Sequence, residues 1–147
     1  MTEWVMRPAV AADLDTLVEL RAVVMRPGLE RLGRYDEHRV RQRMRDRFVA
    51  AFTWVIEAGG TTAGCVALRP AADAHWLEHF YLAPHLQGTG IGTAVLRTLL
   101  DRADADGTVI RLTVLKDSPA RRLYERHGFS YEADDPPVDE IMARWPR

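Results

Sequence analysis

Apolar positions along the chain recur with two periods, and the switches between them mark out the elements. Residues 3–7 suit a short first strand. Leu14, Leu17, Val18 and Val24 then follow at helical spacing, with Asp13 placed to cap that helix and Pro27-Gly28 placed to end it. Val40, Met44 and Phe48 form an i, i+4, i+8 stripe on a second helix beginning at Asp36. FTWVIE at 52–57 and TAGCVAL at 62–68 are β-type runs either side of Gly59-Gly60, a hairpin signal. HWLEHFYL at 75–82 fits a strand or a helix. Ile91, Val95, Leu99 and Leu100 mark a third helix that ends near Gly107. VIRLTVL at 109–115 alternates and is β-branched, hence a strand. Ser118-Pro119 starts a last helix, with Ala120, Leu123, Tyr124 and His127 on one face and Gly128 closing it. Residues 129–132 and 139–145 read as two final strands. With 75–82 taken as a strand, the order is β-αα-βββ-α-β-α-ββ, an α/β domain around one mixed sheet.

Composition narrows the function classes. At 147 residues, with 47% hydrophobic and 28% charged residues, the chain reads as one soluble domain over 1–147. A net charge of −1 argues against general binding to nucleic acid or membranes. The single cysteine, Cys65, excludes an internal disulfide and any cysteine-rich zinc module. The first ten residues do not resemble a signal peptide, and no run approaches the ~20 apolar residues of a membrane span, so a cytoplasmic location is expected. Nine arginines lie between positions 21 and 47. They read first as a solvated helix surface partly balanced by Glu30, Asp36, Glu37 and Asp46, and second as a positive rim for an anionic ligand.

Two motifs compete for chemistry. His75-Trp-Leu-Glu78-His79 matches the H-x-x-E-H pattern of inverted zinc metallopeptidases. That reading needs a helix, which brings the two histidines one turn apart; on a strand they would stand about 13 Å apart. The second motif is HLQGTGIGTAVL at 85–96, three glycines directly before a helix. A turn explains such a cluster, and so does an anion site built from free N–H groups and the helix dipole. Thr93 stands where a dinucleotide fingerprint needs its third glycine, and no Gly-Lys-Ser/Thr follows for a phosphate-binding P-loop.

Gln87-x-x-Gly90-x-Gly92 between an extended segment and a helix resembles the Arg/Gln-x-x-Gly-x-Gly/Ala signature of the GNAT superfamily of N-acetyltransferases. The resemblance extends to Phe80-Tyr81-Leu82-Ala83-Pro84, to Leu112-Thr113-Val114, to Asp117 through Tyr124, and to His127-Gly128-Phe129. Arg7-Pro8-Ala9 with Asp13 also suits it. It implies a mostly antiparallel mixed sheet flanked by helices, with the fourth and fifth strands splayed apart, and acetyl-CoA as co-substrate with no metal. Amides around Gln87, Gly88, Thr89, Gly90, Ile91, Gly92 and Thr93 would cradle the coenzyme's pyrophosphate. Main-chain groups of Phe80 and Leu82 would meet the pantetheine arm and thioester, with Asp117 and Ala120 also on the coenzyme.

Two side chains carry the implied chemistry. Tyr124 matches the family's acid, which returns a proton to the coenzyme sulfur. Glu78 is the candidate base, two residues beyond the family's frequent glutamate position, where this chain has Trp76. Asp117 replaces the family's usual asparagine. The expected acceptor is a primary amine of a small molecule or a protein, with no specific nucleic acid or membrane partner and a monomer or homodimer as the assembly. The alternatives are a non-catalytic acyl-CoA-binding sensor module and, remotely, the zinc peptidase through His75, Glu78 and His79.

Overall fold

The computed structural model describes residues 3–147. Its elements are β1 (Trp4–Pro8), α1 (Leu14–Arg31), α2 (Glu37–Arg47), β2 (Thr53–Ala58), β3 (Thr61–Pro70), β4 (His75–Leu82), α3 (Ile91–Asp106), β5 (Ile110–Leu115), α4 (Ala120–Arg126), β6 (Ser130–Asp135) and β7 (Asp139–Arg144). This is the order expected from the sequence, with 75–82 resolved as a strand. The seven strands follow the order β1-β2-β3-β4-β5-β7-β6. The β1–β2, β2–β3, β5–β7 and β6–β7 pairs are antiparallel, and β4–β5 is parallel. The β4–β5 ladder covers only His75–Leu77 against Ile110–Leu112. Both strands continue beyond that ladder.

By contacts the chain forms two compact units, one of residues up to Ala67 with His79–Gly92, the other of Leu68–Glu78 with Thr93–Arg147. In the first, Leu17, Val18, Met44, Val55, Cys65 and Tyr81 share one buried cluster. Gly59 and Gly60 both have positive φ, 61° and 80°, which is the conformation a two-residue hairpin demands of both central residues. Asp36 caps α2 by accepting from the His38 and Arg39 amides at 3.0 and 2.8 Å.

Helix α1 departs from expectation at both ends. It runs through Pro27 to Arg31. Proline there forfeits the bond to the Val23 carbonyl, and Val23 lies on the exposed side, where water can serve that carbonyl. The stop comes at Gly33, φ 68°, where the Gly33 amide donates to Glu30 O and the Arg34 amide to Leu29 O, a Schellman ending. Asp13 precedes the helix, but its carboxylate turns back to the Val10 amide and to Arg7 instead of capping α1.

In the second unit, Ile110, Leu112 and Val114 are the buried face of β5, and Val95, Leu96, Leu99, Leu100 and Ala103 that of α3. Arg144 is only 5% exposed yet fully employed. Its Nη1 and Nη2 donate to the two carboxylate oxygens of Asp104 at 2.9 and 3.0 Å, and its Nε donates to His127 O at 2.9 Å. This clasp ties the end of β7 to α3 and to the residue ending α4.

Candidate active site

The glycine segment forms an exposed loop between β4 and α3. Gln87 Nε2 donates to Leu82 O at 3.0 Å, and Thr89 Oγ1 donates to Leu86 O. Both bonds staple the loop to the chain that precedes it. Gly88 and Gly90 have φ of 78° and 91°, values that a side chain would strain. The amides of Gly88, Thr89 and Gly90 donate to no backbone carbonyl among the described residues. They lie just before the first turn of a 16-residue helix, whose own leading amides are unpaired by construction. Uncommitted donors and a helix N-terminus together favour an anion. At Gly92, a Cβ would reach only ordinary contact with the Phe80 ring, at 4.0 Å.

The regular extended geometry of β4 breaks at His79, whose φ is 49°, although the strand runs on to Leu82. Side-chain alternation therefore does not pass through this residue unchanged. The strand conformation also removes the helical one-turn spacing that the zinc reading of His75 and His79 required. Around His79 the first unit holds a polar cluster that sequence reasoning missed. Arg21 of α1, 7% exposed, donates from Nε to Val40 O at 2.8 Å and from Nη1 to Tyr81 Oη at 2.5 Å. Tyr81 Oη lies 3.4 Å from His79 Nδ1, and Cys65 Sγ donates to His79 O at 3.1 Å. Burial pushes the Cys65 thiol up to about 12, so it stays protonated and donates. Gly64 has no space for a side chain, because a Cβ would run into the Tyr81 carbonyl.

Other arginines of the 21–47 run behave as a helix surface. Arg26 pairs with Glu30, Arg41 with Glu19 and Arg45 with Asp15, all at the periphery. Arg26 also lies over the Tyr35 ring at 4.8 Å. Arg21 is the exception, and only its helical phase with Leu17 and Val18 hinted at it.

Glu78 is half-buried and paired. Arg69 donates to it from Nε and Nη2 at 3.1 and 2.9 Å, both bonds ending on Oε1. In the second unit Tyr124 of α4 is 8% exposed and stands edge-on to Phe129, with centroids 5.6 Å apart. The Tyr124 carbonyl accepts from the His127 and Phe129 amides, which folds His127-Gly128-Phe129 back onto its own helix. Gly128 has φ 92°, a left-handed conformation that a side chain would strain. Asp117 is exposed with φ 61°. Asp and Asn are the side chains that best tolerate this left-handed turn, a physical reason for either at this position. Ser118 Oγ accepts from the Ala120 amide, the first of α4, at 3.2 Å. Arg121 is engaged by Glu140 at 2.7 Å.

A parallel β4–β5 pair, a loop of open amides feeding α3 and a buried tyrosine on α4 are features of one α/β fold. Solved structures share that fold. The PaiA N-acetyltransferase of Thermoplasma acidophilum, in complex with coenzyme A, superposes with a TM-score of 0.79 at 22% identity over 97% of this chain and 99% of its own. PH1933 of Pyrococcus horikoshii OT3 gives 0.76 at 23% identity over 99% of both chains. The ribosomal-protein-S18-alanine N-acetyltransferase of Escherichia coli gives 0.70 at 19% identity over 97% of this chain and 94% of its own. No curated protein sequence matches the chain. The profile of the Acetyltransferase (GNAT) family matches residues 17–129, and the chain belongs to that family. It is an acyltransferase. Among the described residues, no helix is long and apolar enough to cross a membrane.

Proposed function

We propose that the chain, acting as a single domain over residues 1–147, moves an acetyl group from acetyl-CoA to a primary amine of a small molecule or a protein. The amine attacks directly in a ternary complex. The observation that carries this reading is the row of uncommitted amides at Gly88, Thr89 and Gly90 running into α3, which suits a pyrophosphate. Gln87, Ile91, Gly92 and Thr93 complete the cradle. Phe80 and Leu82 offer main-chain groups to the pantetheine arm and thioester, and a backbone N–H there stabilises the oxyanion as the carbonyl is attacked. Asp117 and Ala120 contact the arm from the turn and first residue of α4.

Two proton transfers frame the reaction. An alkyl amine with a reference pKa near 10.4 is only about 0.04% neutral at pH 7, so its proton must be taken. Glu78 takes it, directly or through water, on Oε2, the oxygen that Arg69 leaves free. Tyr124 then donates its phenolic proton to the departing coenzyme thiolate, as a phenol with reference pKa near 10 can at neutral pH. The enzymatic reading is preferred to a sensor module because Tyr124 is buried in the motif position while the loop keeps its donors open.

Thermal unfolding tests the coenzyme. Acetyl-CoA at 100 times its Kd should raise Tm by about 5–10 °C, with adenosine alone giving no rise. No rise with acetyl-CoA or any other acyl-CoA would sink the assignment. A rise without acetylated product across a broad amine panel would favour the sensor.

A further inference from the structure

The buried cluster at the break in β4 has two features that ordinary core packing does not explain. The first is its charge. Arg21 brings a guanidinium into the core, and among the described residues no carboxylate pairs with it within 4 Å. Its partners are a carbonyl and a phenol, which leave the positive charge uncompensated, a costly arrangement for a buried guanidinium. The second is strain. His79 is a non-glycine residue in the left-handed region within a strand, and such residues persist only where the surroundings over-determine them.

The two features are one structure. Val40 O at α2 accepts from Arg21 Nε, Arg21 Nη1 donates to Tyr81 Oη, and Tyr81 Oη lies 3.4 Å from His79 Nδ1. From the opposite direction Cys65 Sγ holds the His79 carbonyl, and Gly64 lets the Tyr81 backbone come close. The ring and carbonyl of the strained residue are thereby fixed from α1, α2 and β3. Phe80, whose main chain the proposed function places at the thioester, lies between His79 and Tyr81.

We infer that Arg21, Tyr81 and His79 form a positioning network that sets the β4 main chain at Phe80 for the acetyl carbonyl. This rests on the acetyl-CoA reading above. The network touches neither substrate nor coenzyme; it fixes the residue that does. Tyr81 supplies the link because its hydroxyl accepts from the Arg21 guanidinium and lies within hydrogen-bonding reach of the imidazole. Its effect falls on the acetyl group and spares the pyrophosphate cradle, which is stapled separately through Gln87 and Thr89.

That division gives a test that needs no known acceptor. Acetyl-CoA and free CoA are titrated calorimetrically into the wild-type chain, Tyr81→Phe, Arg21→Met and Arg21→Lys. Tyr81→Phe removes one hydroxyl and keeps the buried ring. It should weaken acetyl-CoA about fivefold to tenfold, the size of one lost hydrogen bond, and leave CoA within twofold. Arg21→Met should reproduce that selective loss and Arg21→Lys should restore part of it. Should Arg21→Met fail to fold, Tyr81→Phe decides alone. Equal weakening of both ligands, or no change in either, overturns the network. A wild-type chain that binds neither ligand overturns the acetyl-CoA reading and the network with it, and is recognised because it appears before any substitution is made.

Discussion

Among the described residues two arginines are buried, one in each compact unit, and they are held in opposite ways. Arg144 meets both oxygens of Asp104 and a carbonyl, so its charge is cancelled and its donors are spent. Arg21 meets a carbonyl and a phenol, with no carboxylate beside it. The first arrangement is self-contained and fastens three elements. The second hands its polarity onward, through Tyr81, to a strained residue in a strand that the proposed function puts at the reacting carbonyl. A buried charge that is satisfied locally belongs to the architecture. One satisfied by a neutral relay points to what the relay holds in place.

The largest expected effect separates chemistry from both arginines. Tyr124→Phe should lower kcat about a hundredfold with any amine the wild-type chain acetylates, at unchanged coenzyme affinity, since a positioned acid is worth about 10²–10⁴. Steady-state assay of thiol release measures it; an unchanged kcat would reduce Tyr124 to packing against Phe129. Asp104→Ala is the next step down and should act on stability alone. It leaves the buried Arg144 without its counter-charge, so Tm should fall by several degrees while the ratio of acetyl-CoA to CoA affinity stays at the wild-type value. A changed ratio would erase the contrast between the two arginines.

Titration sharpens the same contrast. The Arg144 guanidinium, with help from the Arg147 amide, holds the Asp104 carboxyl at about 2, below its ordinary 3.8. A depressed folded-state value means the contribution is complete above about pH 4 and is lost as pH falls from there toward about 2. Acid unfolding followed by circular dichroism should show wild type and Asp104→Asn converging over that window; parallel curves would show that the clasp does not titrate there. The smallest effect concerns Cys65. A buried thiol pushed up to about 12 should resist a thiol reagent at pH 8 in the folded protein and react at once in denaturant. Ready labelling of the native chain would show that the His79 region opens.

Much of the fold was legible because its punctuation is local. Gly59-Gly60, Gly107 and Gly128 stop or turn an element by their backbone conformation, Asp36 starts one through its carboxylate, and each does so at the position its sequence predicts. Pro27 misled because a helix tolerates proline where the abandoned carbonyl faces water, which depends on the tertiary direction of Val23. The glycine loop was legible as a candidate because free amides before a helix have few other uses. The Arg21–Tyr81–His79 cluster was not. Arg21 is one of nine arginines in its segment, and Tyr81 and His79 lie 60 and 58 positions further on. Nothing in a strand's alternation announces a left-handed residue such as His79; that follows from contacts with β3 and α1. Glu78 was read as a base, and its Arg69 partner nine residues earlier became visible only once β3 and β4 had folded.

The central claim is that acetyl-CoA sits on the open amides of the glycine loop and on the strand just beyond the break in β4. Titration of acetyl-CoA into ¹⁵N-labelled protein, followed by amide NMR, reads both places at once. The account predicts the largest shifts at Gly88, Thr89, Gly90 and the first turn of α3, together with Phe80 and Leu82. Saturable binding that leaves those amides unmoved and shifts a different surface would contradict it.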